Sequence, residues 1–370
     1  LYKKIKIAQS ILGAKLKEFL ERVPYLSEQI AMVRYNHEVH GLELEVIIEK
    51  EGEWEKLKKH IEDLMINIID AKIVQEKIIK DNCSVQEQII RDNDNPLKSE
   101  KFFSEFDILL MERLDQLFLK IAKKYSAIMR EYPSILSPSN MAKNQYHLIF
   151  PQNVYGVTCL PHNYSIIKQI RDQNNEIIPN QLLASDGSYL QPCLCYHCYE
   201  ENEGKNLTDL HVFTLKGKCF RHEISWKVSP FRRNEFTMRE IVFIGDEEKV
   251  YDIREKIANE SWALFEQLGL RGRIATSRDP FFHYDDLKTK GAVQLISFAK
   301  YELDAKLRNG EQTSIASFNY CQDLLCKKFG IRGGNGKTLH SGCVGFGIER
   351  WRGALLDRYE KNEIRKMLDF

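Results

Sequence analysis

Two stretches in the second half of the chain set chemically capable side chains at regular spacing. The first runs Lys218-Cys219-Phe220-Arg221-His222-Glu223 and resumes as Pro230-Phe231-Arg232-Arg233-Asn234-Glu235-Phe236-Thr237-Met238-Arg239-Glu240. It predicts strand, loop, strand. Alternate residues of a strand share a face, so Arg221 goes with Glu223, and Phe236 with Met238 and Glu240. A guanidinium beside an acceptor and a ring suits a nucleotide: Arg forks onto phosphate, and the ring stacks on a base. The same residues also fit an exposed hairpin with cross-strand ion pairs. The second stretch is His340-Ser341-Gly342-Cys343-Val344-Gly345-Phe346-Gly347-Ile348-Glu349-Arg350-Trp351. Its glycines at 342, 345 and 347 let backbone approach a ligand closely before a helix opens at Arg350, or simply form a strand-to-helix turn.

The nine cysteines are the other chemical resource. Their odd number, with no secretory leader, argues against a disulfide framework and for a reducing, cytoplasmic compartment. Cys193, Cys195 and Cys198 crowd around His197. They read either as packing thiols or as a local structural metal site, although CxCxxC is not a standard closed zinc spacing. Cys159, Cys219, Cys321 and Cys326 read as packing residues.

These segments need a scaffold. The 370 residues allow two or three domains at roughly 100–200 residues each. With 43% hydrophobic and 29% charged residues, the composition is that of a soluble globular protein. No apolar run approaches the roughly 18 residues of a membrane span. The 54 Lys and Arg against 53 Asp and Glu remove the simplest argument for nucleic-acid binding. Residues 1–140 hold 22 basic and 24 acidic side chains, and residues 141–370 hold 32 and 29.

Apolar periodicity predicts an amphipathic helix over 1–22, a hairpin within 29–50 about His40-Gly41, and a helix over 53–80 with a stripe of Trp54, Leu57, Ile61, Leu64 and Ile68. Asp92-Asn93-Asp94-Asn95-Pro96 reads as a linker, and a further helix covers 102–130. Beyond residue 140, strands such as 147–150, 212–215 and 240–245 surround a helix at 247–268. Strands broken by helices indicate α+β with an antiparallel sheet. Gly333-Gly334-Asn335-Gly336-Lys337 lacks P-loop spacing and reads as a turn.

In order and separation the two stretches resemble motifs 2 and 3 of class II aminoacyl-tRNA synthetases. Within that superfamily the chain is most similar to the amino acid:[carrier protein] ligases, relatives of the atypical zinc-dependent archaeal seryl-tRNA synthetases. Supporting strings are Pro192-Cys193-Leu194-Cys195-Tyr196, Asp279-Pro280-Phe281-Phe282, Lys300-Tyr301-Glu302-Leu303 and Ser317-Phe318-Asn319-Tyr320-Cys321-Gln322-Asp323. The resemblance spans residues 96–352. It implies a catalytic domain over 96–370, an antiparallel sheet flanked by helices, and an extra, mainly helical N-terminal region over 1–95 that has no counterpart.

The resemblance also implies roles. Cys195, Glu240 and Cys343 match the family's zinc ligands, with a fourth position open for the substrate amine. Arg221 matches the α-phosphate arginine, Glu223 the adenine contact and Phe236 the ring stacked on adenine. Arg232 and Arg233 match loop contacts to ATP, although Arg233 departs from the family's apolar residue. Arg350 matches the γ-phosphate arginine. Glu302 and the segment Ser314, Ile315, Ala316 and Ser317 match ATP and magnesium contacts. Asp279 and Asn319, with Glu240, match the amino-acid pocket, and His283 stands where relatives often have Gly.

The implied reaction is activation of a small amino acid, such as glycine or alanine, as an aminoacyl-adenylate, then transfer to the phosphopantetheine thiol of a carrier protein. The implied cofactors are one Zn2+ per subunit and Mg2+ with ATP. A homodimer is implied through a motif 1 region at Tyr132 to Val157. Two readings compete: a zinc-dependent seryl-tRNA synthetase, disfavoured by the slightly acidic N-terminal half, and a non-enzymatic scaffold, disfavoured by the intact site residues.

Overall fold

The computed structural model describes residues 1–50, 52–70, 76–85, 97, 101–173, 177–279, 294 and 297–370. The expected linker at 92–96, the boundary between 95 and 96, and His283 lie outside the described residues.

The first 22 residues are not one helix. They form β1 (Tyr2–Lys6) and, past Gly13 at a φ of +54°, α1 (Ala14–Arg22). Lys4-Ile5-Lys6-Ile7 alternates with period two, the strand signature, and buries Ile5 and Ile7. The expected hairpin is present as β2 (Ile30–Asn36) and β3 (Gly41–Val46), with β3 central in the order β1-β3-β2. Helix α2 (Glu53–Ile69) is shorter than expected, and β4 (Ile78–Asp81) occupies the far end of the predicted span. Leu57, Ile61, Leu64 and Ile68 recur at helical spacing and close a core with Phe19, Leu42, Leu44 and Val46.

The remainder starts with α3 (Glu105–Lys124), opened by a reciprocal capping box between Ser104 and Asp107. Then follow β5 (Ile128–Arg130), β6 (Ile135–Leu136), α4 (Pro138–Asn144), α5 (Tyr146–Ile149), β7 (Gly156–Cys159), α6 (Tyr164–Gln173), β8 (Ala184–Leu190), α7 (Cys195–Glu201) and β9 (Asn206–Leu207). The long hairpin is β10 (His211–Phe220) and β11 (Glu235–Gly245). After it come α8 (Glu247–Gln267), β12 (Gly272–Thr276), β13 (Lys300–Lys306), β14 (Gln312–Gln322), α9 (Leu324–Lys328), β15 (Arg332–Gly333), β16 (His340–Gly347), α10 (Ile348–Arg358) and α11 (Lys361–Leu368). Residues 147–150, expected as a strand, belong to α5 and its exit. A four-residue apolar run carries too little periodicity to separate strand from helix.

Among the described residues eight strands form the main sheet in the order β4-β12-β13-β14-β16-β11-β10-β5, antiparallel except for β5 against β10. One face lies under α3, α8 and α10, with Phe118, Phe265, Phe318, Phe346 and Trp351 in a continuous core. Phe118 stacks on Phe346 with ring centres 4.4 Å apart. The opposite face is divided. Toward one end, Leu194, Cys198, Phe213, Val242 and Ile331 make a smaller core beneath α7 and α9. The rest opens into a cleft. Residues 333–337 form a closed turn, with the Gly333 N–H donating to the Lys337 carbonyl.

Candidate active site

The cleft measures about 1,750 Å³ and is floored by β11, β13, β14 and β16. Strand register builds the floor. Glu240 stands opposite Gly345, Gly345 opposite Ser317, and Ser317 opposite Glu302, one row across four strands. In the adjoining row Cys343 faces Asn319, and Asn319 faces Lys300. A Cβ on Gly345 would sit 2.5 Å from the Met238 methyl, so glycine keeps the floor low there. Gly342 is different. Its missing side chain makes room for the Phe243 ring and the Asn319 carbonyl, a packing role rather than ligand access.

The loop between β10 and β11 is folded onto the cleft rather than exposed as a hairpin. The Asn234 side chain accepts from the Glu223 N–H at 2.9 Å, and its carbonyl accepts from the Arg221 N–H at 2.9 Å. Arg221 lies over the Phe236 ring at 5.1 Å and donates to the Pro192 carbonyl. Arg232 Nε donates to Glu223 Oε2 at 2.5 Å, while Arg233 lies over Phe103 at 4.8 Å.

Across the cleft, Arg350 donates to the Phe231 carbonyl and to the Ser314 carbonyl, both at 2.8 Å. Burial, with Arg221 near it, lowers the Arg350 pKa. Of the four residues Ser314 to Ser317, Ile315 and Ala316 are buried within the helix-backed core. Their contribution to a ligand is limited to backbone, whereas Ser317 faces Glu302 in the floor.

At the other end Lys300, 8% exposed, pairs with Asp279 at 2.7 Å and Glu302 at 3.0 Å. Gln294 donates to the second Asp279 oxygen at 2.8 Å. Burial would raise the Asp279 pKa, but Lys300 and Gln294 hold it below the ordinary carboxylate value. Asn319 donates to Ser317 Oγ at 3.3 Å and lies 3.5 Å from Cys343 Sγ. Lys300 was not among the residues singled out by sequence. The signal was present, because it is two positions from Glu302 on one strand and therefore on the same face.

The implied zinc donors come into the same region. Cys195 is hydrogen-bonded to Cys193 and Cys343, which raises its thiol pKa; the bond from Cys195, with a second from Cys321, lowers that of Cys343. Glu240 Oε1 accepts from the Leu194 N–H at 3.2 Å, while its buried Oε2 has no hydrogen-bond partner among the described residues. Burial pushes the Glu240 carboxyl up to about 8. Two sulfurs and a carboxylate with an unused oxygen suit zinc in chemical kind. Among the described residues, however, no three His, Cys, Asp or Glu side chains stand together as a formed metal centre.

The alternative cluster does not assemble. Cys193 Sγ lies 3.6 Å from Cys195 Sγ, but His197 pairs with Glu200 and Cys198 is sealed in the smaller core. Two packing assignments also change: Cys159 is exposed, and Cys321 lines the cleft.

A largely antiparallel sheet with this arginine-lined cleft on one face and three helices on the other is the core of a class II synthetase-type enzyme. Residues 188–359 match the tRNA synthetase class II core domain (G, H, P, S and T). The chain is 31% identical over 252 residues to Amino acid--[acyl-carrier-protein] ligase 1 of Bradyrhizobium diazoefficiens, covering 65% of this chain and 74% of that protein. It belongs to the amino acid–[acyl-carrier-protein] ligase family.

It is also 25% identical to the Type-2 serine--tRNA ligase of Methanocaldococcus jannaschii, over 72% of this chain and 54% of that one. In fold, it matches a chain of the crystal structure of A. aeolicus tRNASec in complex with M. kandleri SerRS. The TM-score is 0.69 at 17% identity, over 100% of this chain and 77% of the other. This fold match spans the chain, whereas the sequence resemblance begins at residue 96. Among the described residues no helix is long and apolar enough to cross a membrane.

Proposed function

We propose that this protein activates a small amino acid with ATP and passes it to the phosphopantetheine thiol of a carrier protein. The observation that carries the reading is Arg221 stacked on Phe236 and facing Arg350 across one cleft, in a chain of this ligase family. In the first step a carboxylate oxygen attacks the α-phosphorus and pyrophosphate leaves. Arg221 holds the α-phosphate, Arg350 the γ-phosphate, and Phe236 and Glu223 the adenine. Arg232 and Arg233 contact the nucleotide from the loop, and Glu302 and Ser314–Ser317 serve ATP and Mg2+. Catalysis is then positioning and charge neutralisation, with no protein nucleophile. In the second step the carrier thiol attacks the acyl carbon and AMP leaves.

Cys195, Glu240 and Cys343 would hold one zinc, which supplies an open coordination position for the substrate amine. Asp279 and Asn319 line the pocket, and a second subunit docks through the region of Tyr132 to Val157.

Amino-acid-dependent pyrophosphate exchange, repeated with Cys195→Ser, tests the first step. Exchange that depends on one or a few amino acids and is lost in the variant supports it; no exchange with any amino acid overturns it. The whole-chain fold match to M. kandleri SerRS favours tRNA charging as a second reading. Radiolabelled amino acid offered to total tRNA or to a holo-carrier protein separates the two by which one becomes labelled.

A further inference from the structure

The catalytic sheet does not wall its cleft alone. Helix α1 and the 3-10 turn after it, Val23–Tyr25, run along the rim. Phe19 and Val23 are fully buried in the N-terminal core, and Pro24 is buried at the start of the turn, so this corner is rigid and leaves Tyr25 half-buried at the cleft. Tyr25 Oη accepts a hydrogen bond from Arg232 Nη2 at 3.2 Å, on the same guanidinium whose Nε is held by Glu223. The Lys227 ammonium lies 5.9 Å from the Tyr25 ring centre. On α1, Glu18 Oε2 accepts from Arg278 Nη2 at 2.9 Å, next to Asp279 in sequence. The α1 corner therefore touches both walls: the loop between β10 and β11, and the segment after β12.

The contact is anchored elsewhere. Strand β4 pairs with β12 at the sheet edge, Glu76 pairs with Arg273 at 3.3 Å, and the Asn82 side chain bonds to the Gly272 N–H and the Leu270 carbonyl.

We propose that the N-terminal unit is a working part of the nucleotide site, with Tyr25 as the positioning residue for Arg232. The inference rests on reading the cleft as an ATP site. A guanidinium fixed by two acceptors from two different elements is held in one conformation before ligand arrives. The side-chain entropy that binding would otherwise cost is then met on folding. Arg232 takes one acceptor from its own loop and one from residues 1–95, so the nucleotide site is complete only with the N-terminal unit docked.

The test uses the full-length protein, with ATP–pyrophosphate exchange and calorimetric binding of ATP with Mg2+ measured side by side. Tyr25→Phe keeps the ring and removes only the hydroxyl. It raises both the KM and the Kd for ATP about three- to tenfold. The turnover number and the amino-acid KM stay within about twofold, because loss of preorganisation weakens binding rather than chemistry. In an Arg232→Ala background the same substitution has no further effect, because Tyr25 acts through Arg232. Unchanged ATP affinity in Tyr25→Phe, or an equal loss in both backgrounds, overturns the proposal. If the wild type binds ATP but exchanges with no amino acid, the activation reading falls while the binding comparison still decides this one. A wild type that binds no ATP overturns both.

Discussion

Lys300 and Asp279 form a 2.7 Å ion pair on the cleft floor, and Lys300 is 8% exposed. Glu302 shares the same ammonium at 3.0 Å, so one buried cation joins the carboxylate proposed for the amino-acid pocket to the one proposed for the nucleotide side. Replacing Lys300 by Met leaves two close carboxylates uncompensated. The amino-acid KM is expected to rise by about tenfold or more, with about 1–3 kcal/mol lost in stability, less than the roughly 3–5 kcal/mol of a fully buried pair because Asp279 and Glu302 are partly exposed. Exchange kinetics and thermal unfolding on the same variant check both numbers.

Glu349 accepts with both oxygens from the Thr237 N–H, at 2.9 and 2.8 Å, and with one from the Thr237 hydroxyl at 2.9 Å. This carboxylate ties the first turn of α10 to β11 and so sets where Arg350 starts. Glu349→Ala is expected to lower kcat/KM for exchange by roughly 10–100-fold, the scale of a misplaced catalytic group. Thr237→Val, which removes only the hydroxyl contact, has a milder effect. Equal kinetics for Glu349→Ala and wild type would sink this assignment.

The proposed donors make a metal prediction. The purified protein should carry about one zinc per chain, and Cys195→Ser, Cys343→Ser or Glu240→Ala should each lose most of it, as three protein ligands leave little redundancy. Elemental analysis reads the content directly. Removing the metal with a chelator should abolish exchange, with recovery on adding Zn2+.

Lys227 carries the pH signature. Burial, helped by Arg232, lowers its pKa to about 8 from the ordinary lysine value. Above about pH 8 the folded chain releases a proton that the unfolded chain keeps until above pH 10. The unfolded state then binds more protons, so this group's contribution to stability rises as pH climbs from 8 to 10 and is most unfavourable below 8. Lys227→Met should therefore stabilise the protein at pH 7 by roughly 1–2 kcal/mol, after allowance for partial exposure, and by little at pH 10. Denaturant titrations at the two pH values test the sign.

Much of the site is legible in the sequence because strands and helices place side chains by simple periods. Phe236, Met238 and Glu240 share a face of β11 for that reason, and α2 buries its expected stripe, whereas Arg221 and Glu223, expected on a strand, lie in the loop past the end of β10. The failures have a common cause. Lys4-Ile5-Lys6-Ile7 satisfies a strand period while the longer window suggests a helix, and the run at 147–150 is too short to show either. Gly342 and Gly345 look alike in sequence, yet only the register distinguishes a glycine that receives Phe243 from one that forms the cleft floor.

The sequence by itself determines which residue types are available and which of them share a face, because those depend on spacing within one element. It is sufficient for the two motifs, for the α+β class and for the family. Only the tertiary structure decides which faces meet. Asp279, past the end of β12, meets the Lys300 and Glu302 pair of the neighbouring strand β13, and Tyr25 reaches Arg232 across 207 positions of chain. No local period encodes a contact between elements so far apart; it follows from β4 docking on the edge of the sheet and carrying the N-terminal unit to the rim of the cleft.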